Sequence, residues 1–371
     1  MIDPFTLHVD DAVLDDLRRR LGHARIPDEV DGAGWDYGVP SGYLRELVDY
    51  WRATFDWRAQ EVRINALDHS LTEIDGQSIH FVHARSASDD ALPLLLIHGW
   101  PGSVVEFLDV VPRLTERFHV VAPSLPGYGF SAPTVTRGWD TWRIARAFAA
   151  LMDRLGYARY GAQGGDWGAQ VATRVAALDG HRCVGLHLNM PVADRPDEAV
   201  ELSDADKADL AAMARFARDE SGYALEQSTK PQTVGVALND SPAGLLAWVV
   251  EKFRSWSDCD GHPENAFTRD QLLTNVMVYW VTGTAASSAR LYWEHRNAES
   301  AAPDYVAVPT GVARYPKEVV RYPRSWVERR YNVVRWSEMP RGGHFAAMEQ
   351  PELFAADVHA FFAALRDGAL F

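Results

Sequence analysis

The segment Leu92–Ile97 reads Leu-Pro-Leu-Leu-Leu-Ile and stops at His98-Gly99. A short, unbroken apolar run ended by a turn signal is the pattern of a strand covered on both faces, as in a parallel sheet flanked by helices. The neighbouring segments agree. Residues 78–83 alternate in character as a half-buried strand does, and residues 119–123 are a further apolar piece leading into a Pro- and Gly-containing turn. Residues 142–155 then take helical spacing. Strand, turn and helix alternate, so the expected architecture is α/β, with a ligand site beyond the C-terminal ends of the strands.

From about residue 190 to 301 the alternation stops, and helical patterns run over 204–219, 243–256, 271–280 and 285–295. Strand-like patterns return at 305–308 and 331–336, so a helical insertion interrupts one α/β domain rather than ending it. Before the core, residues 1–70 are rich in Trp and Arg, with helical patterns at 11–21 and 43–55. The resulting division is an arm packing on the core (1–70), the first part of the core (71–190), a helical cap (191–301) and the second part of the core (302–371). The longest uncharged stretch, 271–289, is broken by Gln271, Thr274, Asn275, Thr282, Gly283 and Thr284. That is too polar for a lipid span and reads as buried helix.

A formal charge of −14 with 37 scattered basic residues lacks the footprint of nucleic-acid binding. Apolar residues at 47% and charged residues at 24% are those of a chain that buries a core. Cys183 and Cys259 are too few for a disulfide framework or a four-cysteine zinc site and read as buried thiols. The N-terminus shows no basic and apolar leader pattern, which points to a cytoplasmic protein. Of the basic residues, 33 are Arg and 4 are Lys, a bias expected of a GC-rich bacterial genome.

The chemistry-bearing pattern is Gly164-Gly165-Asp166-Trp167-Gly168. It has the form Gly-x-nucleophile-x-Gly, a sharp strand-to-helix corner that exposes its central side chain, here a carboxylate. Five such residues alone are more often a plain turn, but residues 158–163 can be the preceding strand and 169–178 the following helix. Upstream, His98-Gly99-Trp100-Pro101-Gly102-Ser103 follows the buried strand, so the N–H groups of Trp100 and Trp167 are the oxyanion-hole candidates. His98 itself reads as a structural histidine. Downstream, His344 stands in Arg341-Gly342-Gly343-His344-Phe345 before a final helix, as the candidate base. Glu318 is the candidate acid, which keeps the order nucleophile, acid, histidine. Its rival, Asp304, lies before the strand at 305–308, at the end away from the expected site.

With these motifs in view, the chain resembles the microsomal-type epoxide hydrolases from its arm to its last helix. The resemblance is carried by Trp35-Asp36-Tyr37-Gly38-Val39-Pro40-Ser41-Gly42-Tyr43, by the segments at 98–103, 164–168 and 341–347, and by Glu220-Ser221-Gly222-Tyr223 and residues 237–242 in the insertion. It implies an α/β-hydrolase fold with a helical cap, Asp166 as nucleophile, Glu318 as acid, His344 as base, and Tyr223 and Tyr292 as donors to the epoxide oxygen. With 13 tyrosines present, no spacing argument selects those two, which otherwise read as packing residues. The partners implied are a small-molecule epoxide and water, with no cofactor, no metal and no membrane. The chain starts without the membrane anchor of the mammalian members, as expected of a soluble bacterial enzyme. Among bacterial members it most resembles those of enediyne antibiotic biosynthesis, and a homodimer is the default for a soluble oligomer. The aromatic residues of the insertion, including Trp248, Phe253, Trp256, Tyr279 and Trp280, would admit a bulky aromatic epoxide, although most suit a core. The rival activity is a haloalkane dehalogenase, which shares an Asp nucleophile and could use Trp167 for halide. A catalytically silent binding protein of the same fold is the alternative outside enzymes.

Overall fold

The computed structural model describes residues 1–198, 200–299 and 301–366. The strands are β1 (Ile2–Phe5), β2 (His69–Ile74), β3 (Gln77–Ala84), β4 (Leu92–Ile97), β5 (Phe118–Pro123), β6 (Tyr160–Gly164), β7 (Cys183–Leu188), β8 (Val306–Arg314) and β9 (Tyr331–Glu338). They form one sheet in the order β1-β2-β3-β5-β4-β6-β7-β8-β9. Pairing is antiparallel from β1 to the β3–β5 ladder and parallel from β5 onward. The continuous apolar run Leu92–Ile97 is β4. It lies between β5 and β6, with Leu94, Leu95, Leu96 and Ile97 fully buried, so its apolar continuity is what a central strand needs.

The helix Thr141–Arg154 opens on Asp140, whose side chain accepts from the Arg143 N–H. With Asp166–Leu178 it belongs to the helical layers of the sheet. The insertion between β7 and β8 is helical, as expected. Asp204–Asp219 starts with a capping box of Ser203 and Asp206, and Arg269–Thr282 with one of Thr268 and Gln271. The uncharged stretch becomes two buried helices, Arg269–Thr282 and Ala285–Arg296, parted at Gly283, whose φ of 62° suits a residue without Cβ. Two insertion helices, Gly222–Thr229 and Pro231–Asp240, do not show in the sequence pattern. Among the described residues no single helix is long and apolar enough to cross a membrane; Pro231–Asp240 with Pro242–Ser255 passes by length and composition, but the two are bent by 115°.

The arm holds more than its helical patterns indicate. β1 adds to the sheet edge through β2, and β2 straddles the boundary drawn at residue 70. Its helices also reach the cap, with Arg20 donating to Asp240 at 2.9 Å and Tyr50 to Asp270 at 2.9 Å. The arm therefore packs on both core and cap. Cys183 and Cys259 are buried free thiols.

Candidate active site

β6 ends at Gly164 and a helix starts at Asp166, so the candidate nucleophile occupies the corner itself. Asp166 has φ of 51°, a left-handed conformation that costs a non-glycine residue free energy and is retained where the surroundings enforce it. The strain falls on the aspartate, not on its glycines. Those are required for close approach: a Cβ on Gly164 would stand 2.2 Å from the Gly168 carbonyl oxygen, and one on Gly168 2.0 Å from that of Ile97. The corner is thus pressed against the end of β4, where Trp100 N–H donates to Asp166 Oδ1 at 2.7 Å. Trp167 makes no such bond in this structure. Its N–H lies in the first helical turn, where backbone donors lack helical acceptors.

His344 meets the same carboxylate from the other side. Its Nε2 is 3.5 Å from Asp166 Oδ2, and its Nδ1 is 2.7 Å from Glu318 Oε1. That oxygen also accepts from the Val319 N–H at 2.7 Å, which fixes it as an acceptor and makes Nδ1 the donor. The His344 N–H donates to the Trp256 carbonyl at 2.9 Å, and a Cβ on Gly343 would come within 2.6 Å of that same carbonyl oxygen. Burial by itself disfavours the imidazolium, but the charges of Glu318 and Asp166 outweigh it and hold His344 well above its usual range. Asp304 is exposed and precedes β8, whereas Glu318 is 3% exposed and follows it.

His98 is buried: Nδ1 is 3.0 Å from the Gly99 carbonyl and Nε2 accepts from Leu125 N–H at 3.1 Å. Burial pushes it down to about 4, so it stands as a neutral, structural histidine.

Tyr223 and Tyr292 come from different cap helices and meet over Asp166, with ring centroids 5.9 Å apart. Burial, with Asp166 contributing, raises both well above the ordinary phenol range, so both remain protonated donors. With Phe216, Trp256, Asp166 and His344 they line a cavity of about 140 Å³.

Residues 2–107 match the family model described as "Epoxide hydrolase N terminus", and residues 93–239 match that of the alpha/beta hydrolase fold. The chain is 39% identical to epoxide hydrolase 1 of Sus scrofa over 98% of its own length and 89% of that protein's. The structure superposes on juvenile hormone epoxide hydrolase from the silkworm Bombyx mori with a TM-score of 0.92 at 33% identity, covering 100% of this chain and 96% of that one. On Aspergillus niger epoxide hydrolase the TM-score is 0.90 at 34% identity, covering 98% and 97%. The chain belongs to the microsomal-type epoxide hydrolase family.

The structure of this epoxide hydrolase brings together Asp166, His344, Glu318, Tyr223, Tyr292 and Trp100. Sequence reasoning gave Trp100 only a backbone role, yet its indole stacks on Tyr223 at 5.0 Å and 5° and meets Tyr292 edge-on at 5.8 Å. One residue thus ties the oxyanion loop to both cap tyrosines. Trp256, counted in sequence only among bulky aromatics, lies 4.9 Å from the His344 ring and 5.1 Å from that of Tyr223. Neither contact has a sequence signal, because the partners lie 88 and 33 residues apart and on different elements.

Proposed function

We propose that this epoxide hydrolase works through a covalent ester on Asp166. One carboxylate oxygen is held by Trp100 N–H, and the other, 3.5 Å from His344 Nε2, attacks an epoxide carbon from behind the C–O bond. The ring oxygen leaves with a proton from Tyr223 or Tyr292, without which an alkoxide is a poor leaving group. Water then attacks the ester carbonyl carbon, giving its proton to His344, while Glu318 stabilises the imidazolium and the N–H groups of Trp100 and Trp167 receive the oxyanion. The carbonyl carbon releases the diol oxygen, which takes a proton from the His344 imidazolium; Asp166 keeps the oxygen of the water, and the remaining water proton returns to the tyrosine that gave its own in the first step. The aromatic lining of the cavity supports a bulky aromatic or secondary-metabolite epoxide as substrate.

The observation that carries this reading is the placement of one carboxylate between an N–H donor, a charge-supported histidine and two buried phenols. A single turnover in ¹⁸O-water tests it. The first diol should contain no solvent oxygen, and the label should appear in the peptide carrying Asp166. Solvent label in the diol at the first turnover would exclude the ester.

A further inference from the structure

Asp166 and His344 border a second cavity, of about 20 Å³, which no residue of the cap insertion lines. That is room for about one water molecule, provided polar groups surround it. Its wall includes Glu106, Gln163, Asn189, Asp166 and His344. Glu106 lies deep in the protein and yet keeps some accessible surface, as expected of a side chain facing an internal cavity.

The position of Glu106 is built in. It sits in the short helical turn Val104–Phe107, directly after the oxyanion loop. A Cβ on Gly102 would stand 1.4 Å from Glu106 Oε1, so the carboxyl fills the space of the missing side chain. The loop beneath is pinned by the cap helix Arg269–Thr282: Asn275 Nδ2 donates to the Pro101 carbonyl at 2.7 Å, and the Tyr279 hydroxyl to that of Gly102 at 2.6 Å. A carboxyl so placed, without a basic side chain at hydrogen-bonding distance among the described contacts, has no ion pair to explain its burial.

We infer that Glu106 is a positioning residue for hydrolysis, holding the water that attacks the Asp166 ester while His344 removes its proton. The inference rests on the ester mechanism proposed above. Burial, against the opposing charge of His344, pushes Glu106 up to about 8. Near neutral pH it is then a carboxylic acid, with one donor and acceptor capacity besides, and can hold a water without competing with His344 for the proton. The water oxygen bonds to the Asp166 carbonyl carbon, its proton goes to His344 Nε2, and the bond from that carbon to the diol oxygen breaks with the imidazolium returning the proton to that oxygen.

The test separates the two half-reactions. Wild type, Glu106→Leu and Glu106→Gln are mixed with styrene oxide in quenched flow, and the ester on the intact protein is followed by mass. In Glu106→Leu, ester formation should stay within about threefold of wild type while ester decay slows by about tenfold or more, the worth of one well-placed hydrogen bond. Glu106→Gln keeps a donor and an acceptor and should restore decay to within about threefold. An unchanged decay in Glu106→Leu, formation slowed as much as decay, or a Gln variant as slow as Leu would each overturn the role. Normal ester formation also shows that the variant is folded. Absence of an ester on wild-type Asp166 would overturn the parent mechanism, and this role with it.

Discussion

Asp166, His344 and Glu318 stand at the ends of sheet strands and are fixed by short, directional hydrogen bonds, whereas Tyr223 and Tyr292 hang from cap helices and are fixed by ring packing. The difference corresponds to what each half has to do. Charge-assisted bonds determine where a proton or an electron pair goes. Packing of rings at 5.0 Å and 4.8 Å determines a volume, and leaves hydroxyls available to a leaving oxygen. In the proposed mechanism the sheet side carries ester chemistry in both half-reactions, and the cap side acts as proton donor in the first alone.

Removing the nucleophile breaks this division most severely. Asp166→Asn is preferable to Ala, because Asn tolerates the left-handed φ of 51° that Ala would strain. Diol formation from styrene oxide should fall by about 10⁴-fold or more, as for loss of a catalytic nucleophile, with the thermal unfolding temperature nearly unchanged. Retained activity would place the chemistry elsewhere. The cap comes next. Tyr223→Phe with Tyr292→Phe removes both phenols and should slow ester formation by about 10²–10⁴-fold, the usual range for general acid catalysis. Ester decay should be nearly unaffected, as measured in quenched flow. If decay slowed as much as formation, the cap would serve both steps and the contrast would fail.

The same contrast explains what was legible in the sequence. The sheet-borne trio could be read from chain order, since a strand, a Gly-flanked corner and a late Gly-rich histidine loop each have a local pattern. The cap tyrosines could not, because what selects them is contact with Trp100 and Trp167 across the fold; resemblance supplied them. Asp204–Asp219 and Arg269–Thr282, which open on capping boxes, were visible from sequence, as was the uncapped Ala285–Arg296, whereas the short, uncapped Gly222–Thr229 and Pro231–Asp240 were not. β7 was missed for a related reason. Its Cys-Val-Gly-Leu-His-Leu carries a glycine and a histidine, and His187 is tolerated in the core because Asp357, 170 residues away, lies 3.0 Å from its Nε2. β1 contains Pro4, which fits a strand at the sheet edge and gives little strand signal.

The smallest effect tests how much of the sheet side's work is charge and how much is orientation. In Glu318→Gln the side-chain carbonyl should keep the place of Oε1, because Val319 N–H and His344 Nδ1–H both donate there. The histidine tautomer is then preserved, unlike a substitution that presents an amide N–H to the ring. What disappears is the charge of Glu318, which with that of Asp166 holds His344 well above its usual value; in the ester the Asp166 charge is already gone. Burial then prevails and the His344 pKa falls. A base works only when neutral, so in wild type ester decay is lost as pH drops through the His344 pKa, and in the variant this loss moves to lower pH. The plateau rate should fall by about tenfold to a hundredfold, because a less basic imidazole takes the water proton less readily. Quenched-flow decay rates across pH read both quantities. A limb that stays in place would remove Glu318 as the source of the raised pKa, and a loss near 10⁴-fold would show that orientation, rather than charge, is its main contribution.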